Sequence, residues 1–298
     1  MLNLKERLKP WLLPLWNGGH RLAWRAGEYV DAVRRSRFEH CDACGRFGPV
    51  LYRRWVVPPR LEELWGLSPR LAEALARKES CECAWCGAKL RGRRLARVLL
   101  EAFPVGHPPQ VAPSVAAWAR SPEAKVLRIA EFNRIDGLHE QLRTLPGFAY
   151  SEFQEEVTPG TMVNGVRAED LTRLTYSDAT FDLVLTSETL EHVPDLAAAL
   201  AELWRVLRPG GLHLFTVPRL PGVTATFARA VVAADGRVEH RAPAIRHPGG
   251  DVGYPVFTEF GADLPDVLRR AGLETTVHFG PTTEDDLAQV YAARKVGG

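Results

Sequence analysis

The sequence predicts an α/β fold, a doubly wound parallel sheet with a small cysteine-bearing domain ahead of it. Three observations predict it. Residues 177–218, SDATFDLVLTSETLEHVPDLAAALAELWRVLRPGGLHLFTVP, read as strand, loop, helix, turn and strand. Two C-x-x-C-G units, Cys41 to Gly45 and Cys83 to Gly87, stand in the front third. A proline-rich joint, Pro104 to Pro113, separates the two parts.

Phe181 to Thr186 is a short apolar run with the length of a buried strand. The polar loop Ser187 to His192 follows where such a strand ends. Asp195 is placed to cap a helix whose Leu196, Leu200, Leu203, Trp204 and Leu207 recur at helical spacing. Pro209-Gly210-Gly211 stops that helix, and Leu212 to Val217 is the next strand. Strand, crossover helix and strand make a βαβ unit of a parallel sheet. Such sheets bind ligands outside the carboxyl ends of their strands, so Thr186 to Glu191 are expected to line a pocket.

The chain has 298 residues, 46% hydrophobic and 25% charged, which is enough for one full domain and a smaller one. No apolar run approaches the length that crosses a bilayer, and no signal-peptide pattern is present. Five cysteines, an odd number, argue against a pure disulfide framework and for a reducing compartment, the cytoplasm. The net charge of +2 hides a split: residues 1–100 hold 20 Lys and Arg against 10 Asp and Glu, and the rest hold 18 against 26. A basic front can face an anionic partner, or the two ends can simply attract one another.

Taken in order, residues 1–39 read as a helical arm. Residues 2–16, LNLKERLKPWLLPLW, are amphipathic but broken by Pro10 and Pro14. They are expected to pack on the body of the protein rather than touch a membrane surface. A second helix, Arg21 to Arg35, follows Asn17-Gly18-Gly19.

Residues 40–103 form the cysteine module. Cys41, Cys44, Cys83 and Cys86 make paired knuckles suited to tetrahedral Zn²⁺, since each tight turn presents two thiolates to one metal. The glycine after each second cysteine lets the backbone turn back toward sulfur. Between them lie a strand-like run, Val50 to Val57, and helical stretches from Pro59 to Lys78. Four thiolates leave no open position, so the expected zinc is structural. Cys81 is the odd cysteine, and only Cys83 has the two-residue spacing to Cys86. A helix from Arg91 to Phe103 and the joint 104–113 lead to the second domain, residues 114–298.

FDLVLTSETLEHVPD followed by ELWRVLRPGG resembles the fourth-to-fifth-strand segment of class I S-adenosylmethionine-dependent methyltransferases. The resemblance implies a seven-stranded Rossmann-like sheet ending in an antiparallel hairpin. The zinc-module-first order is similar to that of some bacterial methyltransferase-domain proteins, and sugar C-methyltransferases also carry an amino-terminal zinc module. On this frame the first strand is Lys125 to Glu131, the second Phe148 to Phe153, and the closing hairpin Glu274 to Phe279 with Leu287 to Arg294. Residues 218–257 are an insertion over the sheet's carboxyl edge, placed as an acceptor lid before a helix from Gly261 to Ala271. Within it ATFARAVVAA reads as helix and RVEHRA as strand.

The same resemblance assigns the cofactor. The family's glycine-rich turn falls on Ala130, Glu131, Phe132 and Asn133, where no glycine stands. Either the turn takes another path, with Glu131 or Asn133 meeting the methionine end, or the pocket is lost and the domain is a scaffold. Glu152 matches the acid that accepts both ribose hydroxyls. Asp170 matches the acceptor of the adenine amino group, with the Leu171 N–H on a ring nitrogen. Alternatively Asp170 caps its own turn. Ser187 and Glu188 complete the set. The His192 of the Glu-His pair is expected to shape its loop.

Methyl transfer is an in-line displacement, and an oxygen or carbon acceptor also calls for a general base. His247, Asp251 and Tyr254, with His240 and Glu259, are the candidates in or beside the lid. The leading expectation is a methyltransferase using S-adenosylmethionine on a small-molecule or glycan-type acceptor, with a structural Zn²⁺. One alternative is an RNA methyltransferase whose basic zinc module grips phosphates. The other is a non-catalytic binding or assembly protein on the same fold.

Overall fold

The computed structural model describes residues 34–52, 63, 66–219, 221–233, 235–247, 253–279 and 287–297. The expected arm over residues 2–16 and all but the last two residues of the expected helix Arg21 to Arg35 lie outside them, as does Val50 to Val57 beyond Tyr52.

The central sheet has eight strands: β1 Ile129–Phe132, β2 Phe148–Glu152, β3 Met162–Val163, β4 Val166–Ala168, β5 Phe181–Ser187, β6 Leu207–Thr216, β7 Leu273–His278 and β8 Val290–Lys295. Their order is β7-β8-β6-β5-β1-β2-β4-β3. The strands from β4 through β6 run parallel, and β8 inserts antiparallel between β6 and β7. The seven expected strands are present, and the two-residue β3, antiparallel to β4, adds an eighth at the edge.

Strand alternation explains why both faces are covered. Ile129, Leu183, Leu185, Leu212 and Leu214 face one cluster, while Ala130, Val184 and Phe215 face the other. The first cluster is filled by helix α2, Leu90–Ala102, through Leu95, Ala96 and Leu99, and it contains Cys41 and Cys83. Helix α1, Pro69–Ser80, leads into α2 by way of the second knuckle. The second cluster is filled by α3, Leu196–Val206, and α4, Leu264–Arg270, through Leu200, Leu203, Leu264 and Leu268. The cysteine pairs and the sheet therefore share one core.

Local chemistry sets the boundaries. Asp195 caps α3 through Oδ1 on the Ala198 N–H at 3.0 Å. At Pro209 to Gly211 the pairing of β5 with β6 shifts register between Phe181 and Leu183, and Gly210 takes φ +75°. β1 starts at Ile129 rather than Lys125 because Ser121 caps a helical turn, Pro122–Lys125, in its place. The expected helix ATFARAVVAA is instead strand: Phe227–Ala228 pairs with Thr258–Glu259, and Ala230–Val232 pairs with Val238–His240. The β-branched pair Val231-Val232 and the turn at Gly236, φ +82°, favour the hairpin.

Candidate active site and four-cysteine centre

Each cysteine pair sits on a tight turn. The Gly45 N–H donates to the Cys41 carbonyl and the Gly87 N–H to the Cys83 carbonyl, both at 2.8 Å, with φ of +76° and +73° at the two glycines. Across the pairs, Cys41 Sγ lies 3.8 Å from Cys86 Sγ, and Cys44 Sγ lies 3.8 Å from Cys83 Sγ. All four sulfurs fall within 4.8 Å of one another. A disulfide would bring sulfurs to about 2.05 Å. A tetrahedron with metal–sulfur bonds of about 2.3 Å has edges of about 3.8 Å, so the donor set fits a thiophilic tetrahedral ion. The contact between Cys86 and Cys41 pulls the Cys41 thiol down to about 5 and pushes the Cys86 thiol up, and burial raises that of Cys44. Cys81 stays outside the group, and burial pushes its thiol up to about 11.

The second centre is at the carboxyl ends of the parallel strands. Glu152 ends β2 next to Ala168 of β4, and its carbonyl accepts from the Glu169 N–H at 3.0 Å. Its carboxylate accepts from the Tyr150 hydroxyl. Asp170 follows β4 and lines a cavity of about 300 Å³ with Phe153, Gln154, Val157 and Glu169. Asp170 also builds its own turn, accepting from the Thr172 N–H at 2.9 Å and Arg173 Nε at 3.1 Å. The two acids thus stand at neighbouring strand ends, and of the two only Asp170 lines the cavity. Leu171 is buried in the core next to them.

The glycine-poor turn after β1 takes its own path. Asn133 adopts φ +64°, the left-handed conformation that glycine would otherwise supply and that asparagine tolerates. Its Oδ1 accepts from the Phe153 N–H at 3.4 Å. Glu131 turns inward: it is fully buried, accepts from the Ile135 N–H at 3.1 Å, and meets His139 Nδ1 at 2.5 Å. Burial raises its pKa, against the pull of His139. Ala130 and Phe132 are core residues, so of the four expected turn residues only Asn133 remains partly exposed. This differs from the expectation because Glu131 is spent on closing the loop.

At the end of β5, Ser187 Oγ shares a hydrogen bond with Thr216 Oγ1 at 2.9 Å. Ser187 also borders a cleft of about 20 Å³ with Lys89, Arg91, Arg134 and Asp136. Glu188, at φ +49°, points to Lys78 of α1, with Nζ 2.7 Å from Oε2. Burial opposes its ionisation, yet Lys78 and Arg91 outweigh that and hold the carboxyl below its usual range.

Among the lid candidates, His247 and Tyr254 converge on His192, with ring centroids 5.0 and 5.7 Å away. Asp251 lies outside the described residues. His240 is exposed, and Glu259 is held by Arg229 at 2.5 Å, so neither reaches this group. The residue that sequence reasoning missed is Lys78; Glu191 was expected only as part of the pocket loop and His192 only as shaping it. The Glu-His pair of SETLEH was the visible signal for the last two; Lys78 carried none.

A doubly wound sheet of this order, with Glu152 ending β2 and Asp170 following β4, is the arrangement that the class I methyltransferase resemblance implies. Residues 148–215 match the protein-family model described as a methyltransferase domain. A ubiquinone biosynthesis O-methyltransferase of Thiobacillus denitrificans is 35% identical over 111 residues, covering 37% of this chain and 44% of that protein. The protein of the same description from Xanthomonas euvesicatoria is 42% identical over 95 residues, covering 32% and 36%. The chain thus spans less than half the length of these relatives. A solved S-adenosylmethionine-dependent methyltransferase from Mesorhizobium loti aligns with 59% of this chain and 94% of that chain, at 22% identity and a TM-score of 0.38.

Proposed function

We propose that this chain transfers a methyl group from S-adenosylmethionine to a small-molecule acceptor, with a structural Zn²⁺ in the four-cysteine centre. The observation that carries it is the placing of Glu152 and Asp170 at the ends of the paired strands β2 and β4, with Asp170 lining a cavity that also takes in Phe153, the residue after Glu152, in the segment that matches the methyltransferase family. The adenosyl end fits: Glu152 offers its carboxylate to the ribose diol, and Asp170, which already accepts from the Thr172 N–H and hydroxyl and from Arg173, offers its remaining lone pair to the adenine amino group. The ubiquinone-type relatives support a small-molecule acceptor.

When bound, S-adenosylmethionine supplies an electrophilic sulfonium methyl group. The chain's own work is to orient donor and acceptor in line. Ser187 and Asn133 stand at the carboxyl ends of β5 and β1, and the insertion meets the loop beyond β5 through the Phe257 N–H on the Glu191 carbonyl. Calorimetry with S-adenosylmethionine and S-adenosylhomocysteine tests the reading. Binding below millimolar ligand is expected; none at millimolar ligand overturns it.

One observation favours a second reading, a methyltransferase fold without catalysis. The cleft between Lys89, Arg91, Arg134 and Ser187 has room for about one water. That is too little for the methionine end of a donor placed between α2 and the turn after β1. Absence of donor binding in the same calorimetry would support that reading.

A further inference from the structure

We propose that Glu191, His192 and His247 hold a divalent first-row cation, a second metal site distinct from the four cysteines. Their ligand atoms lie within 4.8 Å of one another. His192 Nε2 stands 3.5 Å and His247 Nδ1 3.7 Å from Glu191 Oε1. Both separations exceed a hydrogen bond. They are close to the edge of about 3.4 Å expected for ligands on bonds of about 2.1 Å to a tetrahedral ion.

The second observation is Glu191 itself. It is fully buried, and neither carboxylate oxygen accepts a hydrogen bond from any described residue. An ionised carboxylate left that way carries a large desolvation penalty. A cation between the three side chains removes that penalty; the long contacts to the two imidazoles do not.

The third is the orientation of His192. Its Nδ1 lies 2.7 Å from the Pro255 carbonyl, which can only accept, so Nδ1 carries the proton. A neutral ring then turns the Nε2 lone pair toward the Glu191 carboxylate, an arrangement that a cation between the two would satisfy. A backbone carbonyl fixing one ring nitrogen while the other binds is the usual outer-shell arrangement of metal-binding histidines.

The fold assembles these groups from two places. Glu191 and His192 lie on the 3₁₀ turn Leu190–His192 beyond β5, and His247 ends the strand Arg246–His247 in the insertion. The turn and the insertion are joined by the Phe257 N–H on the Glu191 carbonyl at 2.8 Å. Two imidazoles and a carboxylate suit Mn²⁺, Fe²⁺, Co²⁺, Ni²⁺ or Zn²⁺. Glu188, the nearest other acid in the loop, is engaged with Lys78 and is not a member of the group.

The test uses the full chain with its four-cysteine centre loaded with Zn²⁺, titrated with Mn²⁺ and followed by electron paramagnetic resonance. One Mn²⁺ per chain is expected, with spin-echo modulation from imidazole nitrogen. Glu191→Gln and His247→Ala should each weaken it at least tenfold. His247 is in the insertion, away from both core clusters, so that variant keeps the readout valid if Glu191→Gln misfolds. No second cation with millimolar Mn²⁺, Co²⁺ or Zn²⁺, or equal binding by His247→Ala, overturns the site. The readout involves neither donor nor acceptor, so it stands or falls separately from the methyl-transfer reading.

Discussion

Lys78 Nζ and Glu188 Oε2 meet at 2.7 Å, joining the helix before the second knuckle to the residue just past the central strand β5. Lys78 is almost wholly buried, with a side-chain exposure of 1%. Removing one partner of a buried pair leaves the other charge without compensation, which costs about 3–5 kcal/mol. Lys78→Met should therefore lower the unfolding free energy by about that amount in urea titration. The double variant Lys78→Met/Glu188→Gln should recover most of it. Equal stability of the single variant and the wild type would show that the pair does not hold the front to the sheet.

The four-cysteine centre is expected to hold one Zn²⁺ per chain by elemental analysis. Cys41 and Cys83 are packed in the same cluster as Leu95, Leu99, Ile129 and Leu183, so metal loss should be felt by the whole chain. Cys44→Ser should lose the metal and lower Tm by about 10 °C, as a loss of about 4 kcal/mol would. Cys81→Ser, outside the group, should keep both the metal and Tm. A Cys44→Ser protein that unfolds in two steps, with the sheet transition unmoved, would argue against the shared core.

At the adenosyl end, Asp170→Asn is the cleaner probe. Asparagine keeps the acceptor that holds the Thr172 N–H, so the turn survives while the negative charge is lost. Donor affinity should drop about tenfold or more, the worth of a charged hydrogen bond. Glu152→Gln should act similarly on the ribose side. Unchanged calorimetric affinity in both would place the nucleoside elsewhere.

Much of the parallel core was legible in the sequence because its signals are local. Asp195 as cap, the Pro209-Gly210-Gly211 stop and the alternation of Leu183, Val184 and Leu185 each act within a few residues. Fold-level resemblance then supplied the strand order. What stayed hidden depends on partners distant in sequence. Lys78 reads as a solvated helix residue until Glu188, 110 positions on, is brought against it. ATFARAVVAA has helical spacing, and only the pairing with Val238–His240 and Thr258–Glu259 makes it strand. Glu131 was expected at the cofactor turn, and its carboxylate closes the loop on Ile135 and His139, which no spacing reveals. His192 could be read as a loop residue because His247 lies in an insertion whose fold no local signal predicts.

Asn133 offers a test of that rebuilt turn. With φ +64°, glycine should be accepted within about 1 kcal/mol, while the β-branched Asn133→Val should cost about 2 kcal/mol or more. The side-chain bonds of Asn133, 3.4 Å to the Phe153 N–H and 3.5 Å to Thr189 Oγ1, are long and contribute little. Urea midpoints of the two variants check the order. A valine variant as stable as the glycine one would mean that the turn relaxes out of the left-handed conformation.

His213 carries a prediction about pH. It is fully buried in β6, with Nε2 3.0 Å from Thr186 Oγ1 and its ring stacked on Phe215, and burial pulls its pKa down to about 3. In the unfolded chain histidine titrates near 6.5. Between those values the unfolded chain binds a proton that the folded chain does not. Stability from this residue is therefore complete above about 6.5 and is lost as pH falls through the window. Going from pH 7 to pH 5 should remove about 2 kcal/mol on its account. His213→Gln retains a polar partner for Thr186 and does not titrate, so its stability should fall less over the same range. Urea titrations at pH 7, 6 and 5 give the two slopes. Parallel slopes would mean that His213 is protonated in the folded protein, and that the Thr186 contact is not that of a neutral imidazole.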